Sequence, residues 1–157
     1  MEKRKMPNDL NALTRLACDL GADDAQIVAV EAITVDESLV NLCRDSKCDY
    51  YGLSANCPPN VSGPAGFKEL LKDYRRALIF KIDVPTDLLM SENRLQPFRR
   101  LQEIAAGVER NAVENGYSRS RAFAGGSCKP IFCDQEEGCR VLEGGECLHP
   151  LRARPSM

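Results

Sequence analysis

The stretch Ala-Leu-Ile-Phe-Lys-Ile-Asp-Val, residues 77–84, gives the chain its clearest strand. It is apolar and rich in the residue types that pack well in sheets, and it lies between two segments with helical spacing of apolar residues. Residues 67–74 precede it with Phe67, Leu70, Leu71 and Tyr74 on one helical face. Residues 97–115 follow it as a longer helix, in which we expect Pro97 at the first position and Gly116 as the cap.

Helix and strand alternate outward from this centre. Residues 8–20 have the apolar spacing of a helix that stops at Gly21, and residues 26–30 are predicted to form a short strand. Asp36 is a candidate N-cap for a short helix that carries Leu39, Val40 and Leu42 and ends near Cys43. Residues 119–124 are predicted as a further strand. This order predicts an α+β or α/β fold, with a small sheet of three to four strands, flanking helices and two cysteine-rich loops.

Composition indicates one ordinary globular domain over residues 1–157. The chain is 43% hydrophobic and 28% charged, with a net charge of −2, which does not favour a nucleic-acid binder. No apolar run approaches the roughly 18 residues that a membrane span requires, and residues 1–6 lack the apolar stretch of a secretory signal. We therefore expect a cytoplasmic protein with reduced cysteines and without a membrane or nucleic-acid partner. The oligomeric state is left open.

Seven of the eight cysteines form two tight groups in loops rich in Gly, Pro and charge. The first group has the spacing C-x4-C-x8-C and is followed by Pro58-Pro59. The second has the spacing C-x4-C-x5-C-x7-C and follows Gly125-Gly126-Ser127. Thiolates grouped in this way are typical of a metal site, and the predicted ligands are Cys43, Cys48, Cys57, Cys128, Cys133, Cys139 and Cys147.

The spacing favours an iron–sulfur cluster, most simply 4Fe-4S, over zinc. Structural zinc sites take ligands from short knuckles, and only the x4 gaps have that length. A cluster is a larger body that wider and uneven gaps suit better, and Pro58 after Cys57 is a ligand-proline step also found in ferredoxin runs. Gly125 and Gly126 can bring backbone N–H groups close to a cluster. Zinc, and redox thiols without a metal, stay open as alternatives.

Two arrangements of these ligands fit the sequence. In the preferred one, each group holds its own cluster, and the three-cysteine cluster has an open iron. In the other, loops from both groups meet, and some cysteines are only structural. Cys18 is a weak candidate for an additional ligand and is better explained as a free cysteine. His149, the single histidine, can be a ligand or the cap of a turn before Pro150, and the cap is preferred.

Both cysteine signatures resemble one uncharacterised prokaryotic family. C-x4-C-D-Y-Y-G-L-S-A-N-C-P-P at residues 43–59 and the segment from Ala124 to the terminal Arg-Pro-Ser-Met are similar to predicted metal-binding proteins with domain of unknown function 2284. The resemblance implies metal binding by iron–sulfur chemistry and implies no defined reaction. Members of that family often continue past an Arg-Pro-Ser-Met segment, so a further C-terminal piece is left open.

Three function classes follow from these observations. The leading hypothesis is an iron–sulfur protein that exchanges electrons with a redox partner protein. The second is an enzyme that uses the open iron of a three-cysteine cluster as a Lewis acid. The third is a non-enzymatic binding module in which zinc or a cluster joins long loops to the core. No catalytic residue can be assigned, because the chain lacks a P-loop, a G-x-G-x-x-G and a Ser/His/Asp arrangement.

Overall fold

The computed structural model describes residues 9–151 as an α+β protein. Its elements in chain order are α1 (Leu10–Asp19), β1 (Asp24–Ala29), a 3-10 turn (Val30–Ala32), α2 (Leu39–Asp45), α3 (Gly63–Leu71), β2 (Arg76–Lys81), α4 (Thr86–Leu89), α5 (Leu95–Glu114) and α6 (Lys129–Phe132). Within these residues, no helix is long and apolar enough to cross a membrane.

Two compact units divide the described chain. The first, called the helical unit, comprises residues 9–28 and Ala77–Gly125. The second, called the cysteine unit, comprises Ala29–Arg76 and residues 126–151. All seven grouped cysteines belong to the cysteine unit, although residues 77–125 separate the two groups in the sequence. The single domain expected from length and composition stays a prediction.

The helical unit is built around α1 and α5. Their closest packing buries Ala17 of α1 against Ile104 and Val108 of α5. Leu78 and Phe80 of β2 pack on the same cluster, because alternate side chains of a strand point to one face. The helix predicted over residues 97–115 is confirmed, but Pro97 is its third residue and not its first. This position is still in the first turn, where the missing proline N–H has no intrahelical acceptor to lose.

The sheet has two strands, β1 and β2. Asp23 N donates to Lys81 O and Val30 N donates to Arg75 O, so the pair runs antiparallel. The expectation of three to four strands is wrong for the described residues, where residues 119–124 are irregular. In that segment, Ala122 N donates to the Glu109 carboxylate at 2.6 Å, so the N–H is taken by a side chain and not by a neighbouring strand.

The cysteine unit is mostly turns around three short helices, α2, α3 and α6. The predicted short helix is present as α2, but it continues past its predicted end near Cys43 to Asp45, so Cys43 lies inside it. Asp36 Oδ1 accepts hydrogen bonds from both Ser38 N and Ser38 Oγ, so it orders the turn before α2 although the N-cap residue is Ser38. Helix α3 begins at Gly63, four residues before its predicted start, because Pro64 is suited to a first turn.

Candidate metal centre

The four cysteines of the second group surround one small cavity in the cysteine unit. Cys128 and Cys133 lie at the two ends of α6, where Cys128 O accepts Phe132 N at 3.0 Å. Cys139 and Cys147 come from the turns that follow. The cavity volume is about 10 Å³, which is room for about one water molecule. The backbone therefore places all four thiols around one cavity.

One wall of this cavity is the segment Ser54-Ala55-Asn56 of the first cysteine loop. Asn60 holds the segment in place, because its side-chain amide donates to Gly52 O at 3.1 Å and to Ser54 O at 2.9 Å. Neither Ser54 nor Asn56 was predicted as a site residue from the sequence. Their position directly before Cys57, in a turn-rich stretch, was the sequence feature that could have indicated a place at the site.

Nitrogen donors point at three of the four sulfur atoms. Asn56 Nδ2 donates to Cys128 Sγ at 3.6 Å, and His149 N donates to Cys147 Sγ at 3.4 Å. The backbone N–H groups of Leu142, Ala55 and Val141 lie near the Cys139 thiol and favour its thiolate form. Such donors stabilise a thiolate, which is the form that binds metals.

The Ser54 hydroxyl is an additional polar group at the site. It is 1% exposed, and Ser54 Oγ has no hydrogen-bond partner of normal geometry. It is nevertheless close enough to Cys128 to favour its thiolate form. A buried hydroxyl without a partner is costly, so this group fits a site completed by an acceptor such as an ionised sulfur.

Burial and hydrogen bonding act in opposite directions on the thiols. Burial raises the pKa of Cys128, and burial followed by the neighbouring thiols Cys147 and Cys139 raises the pKa of Cys133. Burial also opposes ionisation of Cys139, but its three backbone N–H donors outweigh this, and its pKa is lowered. The surroundings therefore disfavour the charged form of Cys128 and Cys133 and favour that of Cys139.

Two basic side chains line the same cavity, Lys129 and Arg140. Lys129 Nζ donates to Cys133 O and to Glu136 O, each at 2.5 Å, so the ammonium ties together the loop between Cys133 and Cys139. Arg140 forms an ion pair with Glu136 at 2.9 Å. Lys129 favours the charged form of Cys133, which is the effect expected of a cation beside a thiolate.

Cys57, which belongs to the first group in the sequence, contacts the loop that carries the second group. It is buried, and Cys57 Sγ donates to Ser127 Oγ at 3.3 Å, next to Cys128. Cys57 and Cys128 are near enough for the charge of one to disfavour the charge of the other. The structure thus brings together loops from both cysteine groups.

Cys43 and Cys48 are placed differently. Neither lines the cavity, and Cys43 is half-buried while Cys48 is exposed. In the described structure, none of the three cysteines of the first group lines the cavity of the second group.

The donor set has the chemistry of a metal site. In the part of the chain that the structure describes, no three His, Cys, Asp or Glu side chains converge closely enough to hold one metal ion. Four thiols around a shared cavity, with N–H groups near three of the sulfurs, are nevertheless the kind of donors that bind metals once ionised.

The remaining candidates lie away from these sulfurs or have another role. Gly126 has φ 84°, which favours glycine, and Gly125 O accepts Gln102 Nε2 at 3.3 Å; neither glycine lines the cavity. Cys18 is exposed on α1 in the helical unit. His149 is buried edge-on against Phe132, and its Nδ1 accepts Leu151 N at 2.7 Å, so it caps the turn as preferred.

A comparison with protein-family models identifies the family of this chain. The model described as "Predicted metal-binding protein (DUF2284)" matches residues 26–157, which include all seven grouped cysteines. A search of curated proteins and a search of solved structures each found no match. The chain belongs to the DUF2284 family of predicted metal-binding proteins.

Proposed function

We propose that this member of the predicted metal-binding family is an iron–sulfur protein that carries electrons. Cys128, Cys133, Cys139 and Cys147 hold a 4Fe-4S cluster, which supplies a one-electron redox centre when it is bound. The observation that carries the proposal is the cavity shared by these four cysteines, with nitrogen donors at three of their sulfur atoms. Four thiolates are the full ligand set of one cubane cluster.

The charges of the site support an anionic centre. A cluster with four thiolate ligands is negatively charged, and Lys129 and Arg140 line the cavity that would receive it. Lys129 is anchored by two carbonyl oxygens, so its charge is held at the site at little further entropic cost. The thiols whose pKa is raised by burial would ionise on binding, because a metal displaces the thiol proton.

Exchange with a partner protein requires a centre near the surface. Cys147 is half-buried, and the adjacent Leu148 lines the cavity while 45% of its surface is exposed. A cluster at this position is separated from solvent by about one side chain. We infer that the redox partner docks at this rim, where an exposed leucine offers apolar contact.

We do not propose a second cluster on the first cysteine group. That arrangement needs Cys43, Cys48 and Cys57 on one body, but the Cys57 thiol donates to Ser127 of the second loop and lies near Cys128. The open-iron enzyme rests on this three-cysteine cluster, so the arrangement favours the saturated electron carrier over the enzyme.

Purification without oxygen followed by metal and sulfide analysis tests the proposal. The full-length protein should be brown and contain about four iron and four sulfide per chain. Serine variants of each of the four ligands should lose most of this iron, whereas Cys18→Ser, which removes an exposed thiol of the helical unit, should retain it.

Two results would overturn this assignment. A colourless protein with one zinc per chain would replace the electron carrier by a structural zinc module. Loss of iron in Cys43→Ser or Cys48→Ser equal to that in Cys128→Ser would show that the first group also ligates a cluster.

A further inference from the structure

The end of α2 has the hydrogen bonds of a Schellman motif, with a cysteine at each end of the longer bond. Cys48 N donates to Cys43 O at 3.2 Å, and Lys47 N donates to Arg44 O at 3.3 Å. Lys47 has φ 52°, the left-handed conformation that this motif requires in the residue after the C-cap Ser46. The turn therefore folds Cys48 back onto the last turn of α2.

This geometry brings the backbones of two cysteines close together, since Cys48 N donates to Cys43 O. In a Schellman motif, the side chains at the two ends of the longer bond commonly contact each other. Disulfides join residues whose Cα atoms are about 5.5–6 Å apart, so a short separation of the two backbones is what such a bridge requires. Here both side chains are cysteines, so the turn holds the pair ready for disulfide formation.

Neither thiol is used by the proposed cluster. Both lie outside the cavity of the four ligands, and Cys48 is exposed to solvent while Cys43 is half-buried. Exposed thiols are the ones that reach a small disulfide in solution. Cys48 is therefore the attacking thiol, and Cys43 is the resolving thiol.

We propose that Cys43 and Cys48 form a redox-active dithiol that is oxidised by exchange with a small-molecule disulfide. The Cys48 thiolate attacks one sulfur of the small disulfide, forms a mixed disulfide and releases one thiolate. The Cys43 thiolate then attacks Cys48 Sγ, forms the bridge between the two residues and releases the second thiolate. Two protein thiols lose two electrons and two protons, and the small disulfide becomes two thiols.

This site would act independently of the cluster. The dithiol exchanges electrons in pairs, whereas a cluster exchanges them singly. Its two cysteines are distinct from the four cavity cysteines. The inference is therefore independent of the proposed electron carrier.

Mapping of disulfides after reaction with oxidised glutathione tests the inference. The full-length reduced protein is incubated with oxidised glutathione under argon, quenched with acid, alkylated and digested, and fragmentation spectra locate each linkage. We expect a bridge between Cys43 and Cys48 in most chains and its disappearance after dithiothreitol. In Cys43→Ser, the resolving thiol is missing, so glutathione should stay attached to Cys48.

Two variants serve as controls. Cys18→Ser should bridge as the unmodified protein does, because Cys18 is exposed but lies in the helical unit. Lys47→Val should lower the bridged fraction several-fold, because a β-branched residue disfavours the left-handed conformation on which the turn depends.

Three results would overturn the inference. The first is glutathione retained on Cys48 when Cys43 is present. The second is a bridge from Cys48 to a cysteine other than Cys43. The third is equal bridging in Lys47→Val, which would show that the turn does not prepare the pair. Loss of the cluster in a metal assay would leave these outcomes unchanged, so the two proposals fail separately.

Discussion

Lys47 offers the sharpest test of the turn that joins Cys43 to Cys48. Its φ of 52° lies in the left-handed region, which is open to glycine but costs other residues about 1–2 kcal/mol. Glycine, in turn, loses about 0.5–1 kcal/mol more than alanine in backbone entropy on folding. Lys47→Gly should therefore have a free energy of unfolding about 0.5–1 kcal/mol above that of Lys47→Ala.

Comparison of these two variants removes the effect of charge. Both lack the Lys47 ammonium, which is a favourable cation at the C-terminal end of α2. Only the preference for a left-handed backbone then differs. The same pair at Asn41, inside α2, should show the opposite order, because glycine is about 1 kcal/mol less favourable than alanine in a helix.

Thermal unfolding of the reduced proteins, followed by circular dichroism, measures the difference. For a chain of 157 residues, about 1 kcal/mol corresponds to about 2–4 °C in Tm, so Lys47→Gly should melt about 1–4 °C above Lys47→Ala. The reducing agent is essential, since a bridge between the two cysteines would add its own stabilisation. Equal melting temperatures, or a more stable alanine variant, would refute the left-handed turn at Lys47.

Three further measurements address the sulfur donors, the buried histidine and the helical core. Asn56→Ala removes the amide that donates to Cys128 Sγ, a bond that would stabilise the more negative reduced form of the proposed cluster. The reduction potential of the cluster, measured by redox titration, should therefore fall by roughly 20–40 mV, which corresponds to about 0.5–1 kcal/mol. An unchanged potential would exclude this donor. The single histidine, His149, should titrate in NMR below its ordinary pKa of 6.5, because burial lowers the pKa of the imidazole. Because the unfolded chain binds this proton more readily, the contribution of neutral His149 to stability is complete above about pH 6.5 and is lost as the pH falls through the folded pKa. A folded pKa above 6.5 would contradict the burial of His149. Ile104→Ala leaves a cavity at a side chain that is 2% exposed, and should lower the free energy of unfolding by about 2–5 kcal/mol in denaturant titration, whereas a loss below about 1 kcal/mol would contradict its place in the core.

The helices could be predicted because their signals are local. The apolar spacing of α1 and α5 repeats over several turns, and Gly21 and Gly116, both with positive φ, end them as expected. The strand predicted over residues 119–124 failed because strand formation needs a partner. Its residues, Arg-Ser-Arg-Ala-Phe-Ala, do not indicate that Glu109, from another part of the chain, accepts a hydrogen bond from Ala122 N.

The sequence by itself determined the identity and grouping of the thiols, since a metal-binding pattern is written in the spacing of cysteines along the chain. Only the tertiary structure decided how they are distributed. It places Cys57 near Cys128, although 71 positions separate them in the sequence. The hydrogen bond from Cys57 Sγ to Ser127 Oγ is one of the contacts that hold them there. It also leaves Cys48 folded back onto Cys43 by a left-handed Lys47. The spacing of cysteines gives only their separation along the chain. A site depends on which loops lie next to each other in the folded protein, and the packing and turns of the whole unit determine this arrangement.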